Sequence, residues 1–324
     1  MTSTKVQLVF RQALSIICIL LLLPASTLLL AQEPAPPAQA PPPAQAFSGD
    51  QLDNLVAPVA LYPDALLSQV LVASTYPLEI VEAAQWLQEN RNLQGSQLVE
   101  AARQQNWDAS IQALVVFPDV LNRLSSNIRW TTDLGNAFLA QQADVMNAVQ
   151  GMRAQARSEG KLNSNPQEIV TDQTQGDRTV IEIQPADPQV VYVPSYNPEY
   201  IWGPPAYGYY PPLYYPEVGF GFGFGAGIYL GGIFGGLGWG GWGWGPNWFD
   251  CGIIQNNYFF NRYGFNHFHG GFGGGRGVWA HDPGHRLGVP YPNRGLANRF
   301  GGASGAGRDL PVGSLADGRI LAAT

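Results

Sequence analysis

Residues 219–245 read GFGFGFGAGIYLGGIFGGLGWGGWGWG, and no other stretch of the 324-residue chain limits its own fold so sharply. Fourteen glycines fall from Val218 to Gly245, and no charge lies between Glu217 and Asp250. In a helix each glycine is worth ~1 kcal/mol less than alanine, so a water-exposed helix is excluded here. As a strand the start alternates, with Phe220, Phe222, Phe224, Ala226, Ile228 and Leu230 on one side, although glycine inside a strand is itself unfavourable. Trp239, Trp242 and Trp244 follow, and tryptophan favours a membrane–water boundary. Close glycine packing between chains in a bilayer offsets part of the helix penalty. An uncharged aromatic surface of this size exceeds what a soluble monomer leaves exposed, so lipid or a second copy is expected to cover it. Phe220, Phe222, Phe224, Ile228, Leu230, Trp239, Trp242 and Trp244 are the expected membrane or self-association residues. A disordered low-complexity tail and a soluble packed element are the competing readings.

Charge divides the chain unevenly. Residues 47–204 carry eighteen acidic and eight basic side chains, and residues 205–324 carry five acidic and seven basic. Nucleic-acid binding rewards clustered Lys and Arg, so an acidic central region excludes that partner. At the amino terminus Lys5 and Arg11 precede an apolar run from Leu14 to Leu30 and a small residue, Ala31. That order predicts a signal peptide over 1–31, a retained anchor being the other reading. Residues 32–46, QEPAPPAQAPPPAQA, predict an extended proline-rich spacer. With Cys18 inside the apolar run, Cys251 is the one cysteine left after cleavage, and no internal disulfide is expected.

From Ser48 the pattern becomes helical. Ser48 and Gln51 have capping-box spacing, and apolar residues recur at helical intervals through Leu66, Leu67, Val70 and Leu71, then Ile80, Val81, Ala84 and Leu87. A longer helix is expected from about Thr132 to Ser158, with Phe138, Val145, Val149, Met152 and Ala156 as one core stripe. LYPDALL at 61–67 and VFPDVLN at 116–122 form a weak repeat. Proline in a first turn and aspartate at the positive end of the helix dipole make Asp64 and Asp119 helix-start residues rather than a catalytic carboxylate pair. Near Arg178 the period becomes two, and TVIEIQ and QVVYV, joined by PADP, predict a β-hairpin. The prolines and tyrosines that follow end regular sheet, placing a boundary near Pro204. The expected fold is mainly α: a multi-helix domain over 47–204 closed by a small β-hairpin and able to stand as a soluble monomer. A largely irregular region of Pro/Tyr then Gly/aromatic composition follows over 205–275, and an Arg/Gly-rich tail over 276–324.

LVAPVALYPDALLSQVLVASTYPLEIVEAAQWL and IQPADPQVVYVPSYNP together resemble the bacterial family known as domain of unknown function 3300, over most of residues 50–204. VWAHDPGHRLGVPY at 278–291 is similar to a segment near the end of such proteins. The resemblance implies a Gram-negative envelope protein and carries no activity or catalytic residue.

Residues 47–204 contain no histidine and no cysteine, which removes most nucleophile, base and metal constellations from the best-patterned region. No Walker loop is present, and the GxGxxG matches in the glycine tract are chance products of repeated glycine. The four histidines, His267, His269, His281 and His285, lie close together, and with Asp282 they are the candidate metal ligands. Pro283 and Gly284 break any helix that would align His281 with His285, so HDPGHR reads first as a structural or docking segment. The expected role is that of a non-catalytic exported protein, periplasmic or outer-membrane-associated, with no cofactor. Its partner is a membrane or envelope component, or a second copy of itself. A periplasmic metal-binding protein is the alternative, and an unrecognised hydrolase is the third reading.

Overall fold

The computed structural model describes residues 47–215, 221–265 and 275–301. The expected signal peptide and spacer, Phe220, His267 and His269 lie outside the described residues. Eight helices come first: α1 Gly49–Val56, α2 Asp64–Ala73, α3 Pro77–Glu89, α4 Gly95–Arg103, α5 Ala109–Leu114, α6 Pro118–Ser126, α7 Ile128–Ala140 and α8 Gln142–Ser158. The chain is mainly α, as its periodicity predicts, with small antiparallel sheets after the helices.

Local signals start these helices. The capping box at α1 is present, Gln51 N–H donating to Ser48 Oγ at 3.3 Å and Ser48 N–H to Gln51 Oε1 at 2.9 Å. Both copies of the aromatic-Pro-Asp repeat open a helix, α2 and α6, and Tyr76-Pro77 opens α3 in the same way. In all three the aromatic is buried: Tyr62, Tyr76 and Phe117. Proline gives up no helical hydrogen bond at that position, and the ring before it anchors the turn in the core.

The expected helix from Thr132 to Ser158 is two helices, α7 and α8, broken at Gln141 with φ −139° and ψ 48°. The Gln141 side chain holds the break open by accepting from Phe47 N–H at 2.8 Å and donating to Phe47 O at 3.2 Å. The stripe survives, since Phe138, Val145, Val149, Met152 and Ala156 are all buried. Helix α2 is buried along its whole length. Helix α7 crosses its end so closely that a Cβ on Gly135 would lie 2.1 Å from Ser74 O.

The hairpin forms, but with other partners than expected. TVIEIQ lies in β2, Arg178–Pro185, which pairs with the preceding β1, Glu168–Gln175. The two-residue turn Gly176-Asp177, with Gly176 at φ +61°, joins them. QVVYV contributes β3, Val190–Val191, whose partner is β6, Ile228–Tyr229, inside the glycine tract. Likewise β4, Pro194–Tyr196, pairs with β5, Phe222–Phe224, so two strand pairs join the segments on either side of Pro204. After α9, Pro198–Trp202, residues 203–215 hold no helix or strand, as the prolines predict. Helix α10, Leu230–Ile233, leads on to a three-stranded antiparallel sheet in the order β7, Trp244–Asn247, β8, Gly252–Asn256, and β9, Arg276–Val278. Helix α11, Asn257–Tyr263, lies between β8 and β9, and α12, Arg294–Phe300, ends the described chain.

The apolar surface of the glycine tract is covered from within. Leu230, Trp239, Trp242 and Trp244 are buried, and Phe222, Phe224 and Ile228 are half-buried. The Trp242 ring lies 5.9 Å from Phe117 of the helical region and 4.9 Å from Phe259, and its Nε1 donates to the buried Gln69 Oε1 at 3.0 Å. Trp242 thus packs against helices, and Phe222, Phe224 and Ile228 lie along β4 and β3.

Candidate functional site

Asp64 has a larger role than helix-start chemistry gave it. Its carboxylate is buried and accepts from Arg153 Nη1 at 2.6 Å, Ile183 N–H at 3.3 Å and Trp248 Nε1 at 2.9 Å. Arg153, wholly buried on α8, also donates to Ala60 O, Tyr62 O and Ile181 O at 2.8 to 2.9 Å. Its guanidinium lies 5.0 Å from the centroid of the Trp248 ring. A buried ion pair persists only when the remaining donors and lone pairs are met, and here they are. Asp119, its sequence twin, is exposed and lines a different cavity with Arg123 and Ser195, so the two do not form a carboxylate pair.

Asp64 also lines a cleft of about 460 Å³ to which most of the fold contributes. Helix α2 supplies Asp64 and Ala65, and β2 supplies Glu182, Gln184 and Pro185. The glycine tract supplies Trp239, Trp242 and Trp244, and the three-stranded sheet adds Pro246, Ile254, Asn256 and Arg276. The indoles, Asp64, Ala65 and Pro185 are buried, whereas Gln184 and Arg276 are exposed. Burial and, after it, the charge of Asp64 raise the Glu182 pKa above the ordinary glutamate value. Glu182 Oε2 accepts from Gln173 Nε2 at 2.8 Å and from Gln184 Nε2 at 3.2 Å. Asn256 Nδ2 donates to Gly241 O at 2.9 Å, and its carbonyl oxygen has no donor among the described residues. Trp244 Nε1 is buried and has no acceptor among the described residues. A buried donor without a partner costs ~1–3 kcal/mol.

The histidine segment takes another place. Asp282 caps the 3-10 turn Pro283–Arg286, its Oδ1 accepting from Gly284 N–H at 2.8 Å. His285 Nδ1 lies 2.7 Å from Glu79 Oε1 inside the protein, and Glu79 Oε2 accepts from Asp108 N–H at 2.7 Å. Burial pushes the Glu79 carboxyl up to about 7 against the pull of His285. Burial alone would lower His285, but the hydrogen bond and charge of Glu79 outweigh it and hold that pKa above the imidazole value. Both shifts keep a proton on the pair near neutrality. His281 is stacked on Tyr76 at 5.2 Å and lies 2.9 Å from Tyr291 OH, and burial lowers it to about 3. The buried Arg286 donates to Thr75 O at 3.1 Å and to Asn136 Oδ1 at 2.7 Å. HDPGHR is therefore docked on the helical region, with His281 and His285 committed to different protein partners. Among the described residues no three His, Cys, Asp or Glu side chains gather as a metal group. Arg153 and Glu182 escaped the sequence reading. For Arg153 the signal is a lone arginine four residues after Val149 on an otherwise apolar stripe, which marks a buried counter-ion. Glu182 carries no comparable mark.

The family model described as "Protein of unknown function (DUF3300)" matches residues 48–281, which include every residue lining the cleft. An uncharacterised protein of Escherichia coli (strain K12), YacH, is 35% identical over 332 aligned residues, covering 82% of this chain and 52% of that protein. The chain thus spans about half the length of that curated relative. No solved structure matches. With a match that runs unbroken from the capping box of α1 to His281, across the helices, the glycine tract and the cleft, the chain belongs to the DUF3300 family.

Proposed function

We propose that this chain is a non-catalytic exported cell-envelope protein that binds an envelope component in the tryptophan-lined cleft. One observation carries the reading: the glycine–aromatic tract, Asp64 of the helical region, Glu182 of the hairpin and Arg276 of the three-stranded sheet meet around one cavity of about 460 Å³. Pockets of ~300–1,000 Å³ that mix apolar walls with a few polar groups are the usual form of a ligand site. The charged, apolar and small segments of residues 1–31 and the proline-rich stretch after them support export to the envelope. A binding role is the use of the tract that its packing favours, because its tryptophans are buried inside the protein around the cleft. Binding without catalysis fits Asp64, whose two oxygens are both held by internal donors and are not free to exchange a proton with a substrate.

The test is fractionation of a Gram-negative host expressing the full chain, followed by co-sedimentation of the purified protein with isolated envelopes. Wild type is expected in the envelope fraction and in the envelope pellet, and the double variant Glu182→Gln with Arg276→Ala is expected to stay in the supernatant. Recovery of wild type in the cytosol, or equal sedimentation of both proteins, overturns the reading.

A further inference from the structure

We propose that the ligand of this cleft is an uncharged oligosaccharide, an inference that rests on the cleft being the binding site. Three features of the cleft select that chemistry. The first is its charge. Asp64 is neutralised by Arg153 inside the protein, and the remaining charged groups of the lining are one carboxylate, Glu182, and one guanidinium, Arg276. A cleft balanced in this way gives no net attraction to an anion or a cation.

The second is the supply of hydrogen-bonding groups. The exposed Arg276 guanidinium makes no hydrogen bond among the described residues and is a donor open to the cleft. The carbonyl oxygens of Asn256 and Gln184 accept no hydrogen bond among the described residues, each side chain spending its amide N–H₂ on a protein oxygen. A ligand that meets both kinds carries groups that donate and accept at once, which is the property of a hydroxyl. Indoles alongside these groups suit the apolar face of a sugar ring.

The third feature disfavours an extended peptide. A peptide that binds between strands does so by continuing a ladder of backbone hydrogen bonds. Of the four strands that line the cleft, β2 and β7 carry proline there, Pro185 and Pro246, and proline has no N–H to offer, while β8 is already paired on both sides by β7 and β9. Recognition is left to side chains, as polyhydroxylated ligands require.

The experiment uses isothermal titration of the full mature chain with a tetramer of N-acetylglucosamine, with cellotetraose and with an uncharged unstructured peptide. At least one saccharide is expected to bind saturably, and the peptide not to bind. Gln184→Ala removes an exposed acceptor of the cleft, and Arg276→Ala removes its exposed donor. Each is expected to weaken saccharide binding by about tenfold, the effect of one lost hydrogen bond in a desolvated site. Since both side chains are exposed, both variants should keep the wild-type thermal midpoint within a few degrees, which separates a lost ligand contact from a damaged fold. Absence of saccharide binding at millimolar concentration, binding of the peptide instead, or saccharide binding untouched by both substitutions overturns the inference. If envelopes still sediment the wild type and the double cleft variant fails to follow, only the ligand class is wrong; if envelopes bind neither, the reading beneath it has failed.

Discussion

Asp64 and Asp119 occupy equivalent places in two copies of one short repeat, yet their surroundings differ completely. Asp64 is paired with Arg153, 89 residues on, and with Trp248, 184 residues on, whereas Asp119 is exposed. Nothing local distinguishes them, because the difference lies in what tertiary structure brings to each. Asp64→Ala leaves the Arg153 charge buried without its counter-ion and is expected to destabilise the protein by ~3–5 kcal/mol. Asp119→Ala loses only a helix-dipole interaction, ~0.3–1 kcal/mol. Urea midpoints of the two variants check this, and similar small losses for both would show that the Arg153 pair is not what holds the site. Glu168, at the start of β1, offers a second residue-scale prediction. Its Oε2 is buried without a partner, and burial pushes the carboxyl up to about 7, with Asn165 and Arg153 opposing. The folded pKa is above the unfolded value, so the stability it contributes is complete below about 4.5 and is lost as pH rises through about 7. Glu168→Gln removes that titration. The variant should gain on wild type by up to ~3 kcal/mol between pH 5 and pH 8.5, from a shift of that size at 1.36 kcal/mol per unit. Thermal midpoints of the two proteins that move in parallel across that range would contradict it.

The helix starts were legible because the capping box at Ser48 and the aromatic-Pro openings are local chemistry, satisfied within a few residues. The hairpin was legible in kind but not in partner. Gln175-Gly176-Asp177-Arg178 offers a two-residue turn with glycine at positive φ, a stronger hairpin signal than PADP, whose prolines remove ladder donors. β1 was missed because EIVTDQTQ is largely polar and its outer half is exposed, so no alternation marks it. The break between α7 and α8 was equally hidden, since it depends on Gln141 finding Phe47, 94 residues away. Two glycines in these helices test how tightly the elements meet. Gly135 on α7 touches the backbone of Ser74, and backbone cannot yield as a side-chain tip does. Gly151 on α8 has nothing within 4 Å of where a Cβ would stand. Gly135→Ala is expected to destabilise by ~1–3 kcal/mol or more through overpacking. Gly151→Ala should stabilise by ~0.5–1 kcal/mol by gaining helix propensity. The opposite signs are the prediction, and a loss at both positions would mean that the α7 crossing is not specially close.

At the scale of the molecule, the composition break at Pro204 suggests a helical domain that stands alone, and the packing argues otherwise. Several buried polar groups of the helical region find their partners beyond residue 204. Asp64 accepts from Trp248, Gln69 Oε1 from Trp242, Glu79 meets His285, and Thr75 O and Asn136 accept from Arg286. Phe117 also loses its Trp242 neighbour if the tail is removed. Each unmet buried group costs ~1–3 kcal/mol, and the sum of several such losses matches the whole stability of an ordinary domain, ~5–15 kcal/mol. A chain of residues 47–204 is therefore expected to lack a cooperative thermal transition and to bind a hydrophobic dye or aggregate, keeping helical circular dichroism without fixed packing. A chain of residues 47–301 restores every partner named above and should unfold in one cooperative step. Replacing Phe222, Phe224, Ile228 and Leu230 with serine in the longer chain tests the same dependence without truncation. Leu230 is fully buried and the other three are half-buried, so the variant should lose stability rather than gain solubility. A monodisperse 47–204 fragment with a sharp transition, or a serine variant as stable as wild type, would show that the glycine–aromatic tract lies against the helices without supporting them.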